Sequence, residues 1–182
     1  VVAQRITQWE RGIDPMTQVT FIGEYDSHGQ PRSHIRIAVP RGRDYQVSIP
    51  PTAPAEVYLV THTQTDYARP TGQRYIVDRP ARITTYEIIG AAHDDALTLR
   101  GKIEDQTLPI QILEQKMHYY DGDAFVGLTL GLVGDYGALA ATENLVLTEE
   151  IQTAAYGNRI PPYFDTPVWT AEYPQEFRNN LP

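Results

Sequence analysis

Between His118 and Glu150 the chain reads HYYDGDAFVGLTLGLVGDYGALAATENLVLTEE, and this stretch limits the fold more than any other. Gly122, Gly127, Gly131, Gly134 and Gly137 interrupt aromatic and aliphatic segments that favour extended backbone. Glycine suits positions where the chain must take φ > 0 or approach another segment closely. The pattern predicts short extended segments turned sharply by these glycines, and it contains no recognisable catalytic signature. Upstream, Glu24-Tyr25-Asp26-Ser27-His28-Gly29-Gln30 makes a second statement of the same kind, a strand running into a tight polar turn from which another strand leaves.

Alternation on either side of that turn supports a hairpin. Val19, Phe21, Gly23 and Tyr25 fall on one side of an extended strand, with Thr20, Ile22 and Glu24 on the other. After the turn, Ile35, Ile37 and Val39 alternate with His34, Arg36 and Ala38. Period-two apolar patterning flanking a short Gly-containing loop is the sequence form of a β-hairpin. Pro40 is expected to end the second strand, because it has no N–H for a ladder. Pro50-Pro51-Thr52-Ala53-Pro54 reads as an extended connector. Further strands are expected over 56–67, 74–77 and 81–89, the last rich in β-branched residues. The segments 97–103 and 110–120 are expected to pair around a Glu104-Asp105-Gln106 turn, with His93-Asp94-Asp95 in a loop. One short helix is expected near 148–156, with Thr148 as N-cap, Glu149 and Glu150 at the positive end of the dipole, and Gly157 as the stop. The tail 158–182, rich in proline and aromatics, is expected to be irregular but docked, since large apolar groups are poorly tolerated in water. The fold class is therefore mainly β, built of strand–turn–strand units, with residues 1–182 forming one β-rich segment.

The 182 residues are enough to bury a core. A hydrophobic content of 41% with 21% charged residues fits a globular chain. No apolar run approaches the ~18 residues of a membrane span, and the N-terminal residues show no signal-peptide pattern. The start at Val1 and the end at Pro182 suggest a piece of something longer. A net charge of −8, with Lys102 and Lys116 the only lysines and the arginines dispersed, argues against phosphate-backbone binding and so against a nucleic-acid partner or an anionic membrane surface. The densest basic spot, Arg41-Gly42-Arg43, reads as a solvated loop. With no cysteine there is no disulfide, thiolate nucleophile or Cys-based metal site.

Asp121-Gly122-Asp123 has the opening of a calcium loop, but the later ligands of such a loop, including a bidentate Glu, are missing. The reading adopted is a turn in which aspartate accepts backbone amides, and Asp26 is assigned the same role while Tyr25 packs against a neighbouring strand. Asp94/Asp95 and Glu149/Glu150 do not make a glycosidase pair by themselves, since adjacent residues in a strand face opposite ways and the Glu pair is explained as charge at a helix N-terminus. His28, His34, His62, His93 and His118 show no close-set ligand spacing. Ser27, Ser33 and Ser48 lie outside any nucleophile elbow. The glycines match no phosphate-binding loop. No metal or other cofactor is expected. Trp9, Trp169 and the tyrosines are read as core and sheet-surface residues rather than as a sugar platform.

The Tyr25-Asp26-Ser27-His28-Gly29-Gln30 segment resembles the YD unit of RHS/YD-repeat proteins, with Tyr25, Asp26 and Gly29 as its structural residues. The block Tyr119-Tyr120-Asp121-Gly122, Phe125, Gly127-Leu128, Leu130-Gly131, Gly134 and Tyr136-Gly137-Ala138-Leu139 resembles the B component of bacterial insecticidal Tc toxin complexes and similar SpvB/TcdB-type RHS toxins. Glu143, Leu145, Leu147-Thr148-Glu149-Glu150 and Tyr156 fit the same resemblance. So do Thr63-Gln64-Thr65-Asp66-Tyr67, Tyr75, Pro80, Thr85-Tyr86-Glu87 and the ending from Pro161 to Pro182. In that family RHS repeats wind into a hollow shell holding a toxic C-terminal polypeptide until a pore-forming partner delivers it. The resemblance implies a secreted or cell-surface toxin complex. The implied partners are neighbouring repeats of the same parent chain and the encapsulated polypeptide, with the pore-forming component reached only through regions absent here. One clear YD unit is present. Neither the β-propeller that docks the pore-forming component nor the self-cleaving core is represented, so no protease aspartates carry over.

The expectation is a non-enzymatic wall segment. The rival from another class is a β-sandwich binding glycans or a host protein through exposed Tyr and Trp. A third reading, a hydrolase with carboxylates from distant strands, requires a deep pocket holding two acids.

Overall fold

The computed structural model describes residues 2–10, 12–146, 148, 153, 156 and 157. It is mainly β. The elements follow as β1 (Val2–Gln8), β2 (Met16–Tyr25), β3 (Pro31–Val39), β4 (Leu59–Tyr67), β5 (Arg69–Pro70), β6 (Pro80–Ile88), α1 (Ala96–Glu104), β7 (Ile110–Tyr120), β8 (Leu132–Val133) and β9 (Leu139–Asn144). Seven strands form one sheet in the order β1-β2-β3-β4-β6-β7-β9, and β5 and β8 form a short parallel ribbon. Within the large sheet the pairings from β1 through β7 are antiparallel. Contacts divide the chain into two units, Val1–Glu143 and Asn144–Pro182.

Register places the apolar set of each strand on one face. Phe21 lies opposite Ile35, Ile35 opposite His62, His62 opposite Tyr86, and Tyr86 opposite Ile112. On this face Phe21, Ile35, Ile37, Val60 and Ile88 are buried in a cluster that also contains Ala96, Leu99 and Ile103 of α1. Fully burying a Leu or Ile side chain contributes about 1.5–3 kcal/mol, so this layer is the main source of cohesion. The other face carries Arg36, His34, Thr63 and Thr85, exposed or half-buried, with Thr63 Oγ1 and Thr85 Oγ1 3.1 Å apart. That division is the in/out alternation of an antiparallel sheet packed on one side.

The hairpin of β2 and β3 forms as its alternation predicts, and β3 stops at Val39, before Pro40. β4 is shorter than the predicted 56–67. It begins at Leu59, because the buried Tyr58 spends its N–H on Ala91 O at 2.7 Å. Residues 74–77 are not a strand. Ile76 donates its N–H to Arg74 O, two residues back, which takes that group away from any ladder, and its side chain packs against the cluster of Ala68, Ala81, Tyr120 and Val133.

The predicted strand at 97–103 is a helix. Leu97 and Leu99 flanking Thr98 imitate strand alternation, but the buried residues are Ala96, Leu99 and Ile103, whose spacing is helical. Asp95 caps the helix by accepting the N–H groups of Leu97 and Thr98, each at 3.0 Å. Arg100 and Glu104 form an i,i+4 ion pair at 2.8 Å, and Lys102 sits in the last turn, where the dipole favours a cation. These terms offset Gly101, which weakens a helix interior by about 1 kcal/mol. Consequently β7 pairs with β6 rather than with 97–103.

The helix expected near 148–156 lies largely outside the described residues. Within it Thr153 and Tyr156 are helical, and Gly157, at φ +54°, donates to Thr153 O at 2.7 Å. The tail 158–182 lies outside the described residues altogether.

Candidate functional site

At the β2–β3 turn, Asp26 Oδ1 accepts the N–H groups of His28 and Gln30, both at 2.8 Å. The backbone closes the same turn through Asp26 N to Gln30 O at 2.9 Å and Gly29 N to Asp26 O at 3.1 Å. Gly29 sits at φ +79°, a conformation that side chains other than glycine adopt reluctantly. The hydrogen bond from Gln30 is the largest influence holding the Asp26 carboxyl below its usual range. Tyr25 precedes this turn. It is 46% exposed, lies opposite Pro31 of β3 and ends β2, and the preceding Glu24 sits at φ +52°.

The second glycine-rich passage is organised by Asp121. Its Oδ2 accepts the N–H groups of Gly134 at 2.7 Å and Gly137 at 3.0 Å, and Oδ1 accepts that of Ala138 at 3.1 Å. Asp121 N in turn donates to Ala138 O at 2.7 Å. Desolvation raises the pKa of this carboxyl, but the amides of Ala138, Gly137, Gly134 and Tyr136 together outweigh it and leave the value lowered. The carboxylate thus joins the end of β7 to the approach to β9. Around it, a Cβ on Gly134 would lie 3.0 Å from Asp121 Oδ2, one on Gly122 would lie 2.9 Å from Gly127 C, and one on Gly127 would lie 2.7 Å from Tyr119 Cβ. Gly131, at φ +85°, has open space around it. Tyr120 is buried, its hydroxyl donating to Pro80 O at 2.9 Å. Among the described residues no group of three or more His, Asp or Glu side chains is placed to hold a metal ion.

Two buried polar pairs lie on the core face, where sequence reasoning had singled out neither. Ser33 Oγ and His62 Nε2 are 2.9 Å apart, and Gln115 Nε2 donates to Thr84 Oγ1 at 3.0 Å. His62 borders a cavity of about 360 Å³ together with Tyr86 and Gln106, but Ser33 is not part of its lining. The pair therefore satisfies two buried polar groups, as buried groups require.

A larger cavity, about 500 Å³, adjoins the Asp26 turn. Ser27 and His28 of the turn, Arg32 at the start of β3, and Ala68, Arg69 and Val77 contribute to its walls. Tyr75, 79% exposed, meets the His28 ring edge-on with centroids 5.8 Å apart.

No protein-family model matches the chain, and no curated protein matches it. Among solved structures, a chain of the Photorhabdus luminescens Tc holotoxin pore matches with a TM-score of 0.65 over 96% of this chain, at 18% identity. The match takes up 9% of that chain. At this identity the likeness is one of fold. It joins the sequence resemblance to Tc toxins at that level.

The strands at the two ends of the sheet are its remaining feature. In β1 every described side chain is exposed or half-buried, including Val2 at 54% and Ile6 at 44%, and β9 ends the sheet on the other side. A terminal strand presents one row of backbone N–H and C=O groups to whatever lies beside it. Among the described residues no helix is long and apolar enough to cross a membrane.

Proposed function

We propose that this chain is a wall segment of an RHS-type toxin shell. In this reading its sheet is continued at β1 and β9 by neighbouring repeats of one longer chain, and the wall encloses a toxic polypeptide delivered by a toxin complex outside the producing cell. The observation that carries the reading is an open seven-stranded sheet with a fold likeness spanning 96% of this chain but 9% of a Tc holotoxin chain. A short piece that matches a much longer chain is suited to a part in a continuous wall. Its role is mechanical: lateral backbone ladders close the wall, and side chains turned to the two faces meet cargo or solvent. The chain has no reaction of its own, and Asp26 and Asp121 serve to shape turns.

The rival sandwich module receives less support, since the described residues form one seven-stranded sheet and a two-stranded ribbon rather than two sheets packed face to face.

Static light scattering over a concentration series tests the proposal. The isolated chain is expected to gain mass with concentration through its sheet edges. Val2→Lys combined with Ile6→Lys, which places charge along β1, is expected to reduce that gain. A strictly monomeric wild-type chain at high concentration, or turnover of a substrate by it, would end the proposal.

A further inference from the structure

We propose that the cavity beside the Asp26 turn binds a carboxylate carried on a small apolar body, with Arg69 as the anchoring cation. The charged groups that line the cavity differ in whether a partner already holds them. Arg32 Nη2 is held by Asp66 Oδ1 at 2.7 Å. Asp26, the one acid in the lining, has Oδ1 occupied by the amides of His28 and Gln30. Among the described residues, Arg69 alone of the lining's charged side chains has neither an ion pair nor a side-chain hydrogen bond, in a chain whose net charge is −8.

Its backbone, by contrast, is anchored. Arg69 N donates to Gly131 O at 2.8 Å, and Arg69 pairs with Leu132 across the β5–β8 ribbon. The guanidinium therefore projects from a fixed base, which limits the ordering needed on binding. A guanidinium offers parallel donors that match the two oxygens of a carboxylate. Ala68, Pro70 and Val77 supply apolar wall, and Ser27 supplies a further hydroxyl. A volume of about 500 Å³ falls within the usual range for small-ligand sites, which are mostly apolar with a few placed polar groups. Tyr75 lies beside His28 at the rim, its hydroxyl 3.5 Å from His28 Nδ1.

The test is titration of the 182-residue chain with N-acetylleucine and with N-acetylleucinamide, its uncharged counterpart, followed by amide chemical shifts. At the efficiency usual for small ligands, the acid is expected to saturate with a Kd of about 1 mM. The shifts should centre on residues 26–32 and 67–70. The amide is expected to bind at least tenfold more weakly, and rising salt should weaken the acid alone. Arg69→Gln should abolish the preference for the acid, while Arg69→Lys should retain part of it. Asp66→Asn, which releases Arg32, should tighten binding. Arg69 is exposed, so an unchanged thermal transition would show that its variants remain folded. Equal binding of acid and amide, no saturation by the acid, or an unaltered preference in folded Arg69→Gln would overturn the assignment. None of these outcomes bears on self-association through the sheet edges, so this site and the wall reading stand or fall separately.

Discussion

Ser33 Oγ lies 2.9 Å from His62 Nε2, and both side chains are buried beneath the sheet's core face. Burial lowers the His62 pKa from its ordinary 6.5, and the nearby Glu104 carboxylate opposes that shift. His34 is lowered as well, by burial first and then by Arg36. In both cases the unfolded chain takes up a proton at higher pH than the folded one, so stability rises with pH across this window. The contribution is fully present above about pH 6.5 and is lost as pH falls toward the lowered folded values. Thermal unfolding followed from pH 7.5 to 5 is expected to show a falling midpoint, and His62→Gln should flatten the curve. A midpoint that rises on acidification would contradict the assignment.

Asp95 should show linkage of the same sign in a lower window. The Thr98 amide is the largest influence on it, and with the Thr98 and Ser48 hydroxyls and the Leu97 amide it brings the pKa to about 2 despite some desolvation. Stability from this cap is present above the ordinary value of 3.8 and disappears as pH falls through about 2. Asp95→Ala is expected to destabilise by about 1–2 kcal/mol, and Asp95→Asn by much less, because asparagine also caps. Denaturant unfolding at neutral pH measures both.

Asp121→Ala removes the acceptor for the N–H groups of Gly134, Gly137 and Ala138. Hydrogen bonds to a charged group contribute about 1.5–3 kcal/mol, and water will replace part of that here, so a loss of about 2 kcal/mol is expected. Hydrogen exchange should accelerate at residues 134–138 before it does in β2 and β3. Uniform acceleration across the whole sheet would instead make Asp121 a global determinant.

Gly127 and Gly131 both have positive φ, at +76° and +85°, but only Gly127 is also enclosed. Gly131→Ala is expected to cost about 1 kcal/mol from backbone strain alone. Gly127→Ala adds a collision with Tyr119 Cβ and should cost about 1–3 kcal/mol more. Equal losses for the two substitutions would show that packing around Gly127 yields without penalty.

In 97–103, Leu97 and Leu99 around Thr98 satisfy a strand template, and the helical set Ala96, Leu99 and Ile103 becomes decisive only when the sheet offers a surface for it to cover. Asp95 followed by Leu97 and Thr98 is the local signal for a cap, although His93-Asp94-Asp95 fits a loop equally well. For Arg69 no local signal existed. That Arg32 pairs with Asp66 of β4, while Arg69 meets no acid among the described residues, is settled by the packing of separate strands.

Short-range chemistry is what this amino-acid order determines by itself. Apolar residues at every second position give β2 and β3 their inner face, and Asp26 with Gly29 closes the turn between them. Each acts within a few residues and needs no distant partner. The tertiary structure decides the rest: that 96–104 coils over the sheet, that Asp121 reaches amides 13 to 17 residues onward, and that Ser33 and His62 satisfy one another across β3 and β4. Those outcomes depend on which surfaces are brought together to exclude water, and that is a property of the assembled sheet rather than of any single stretch of chain.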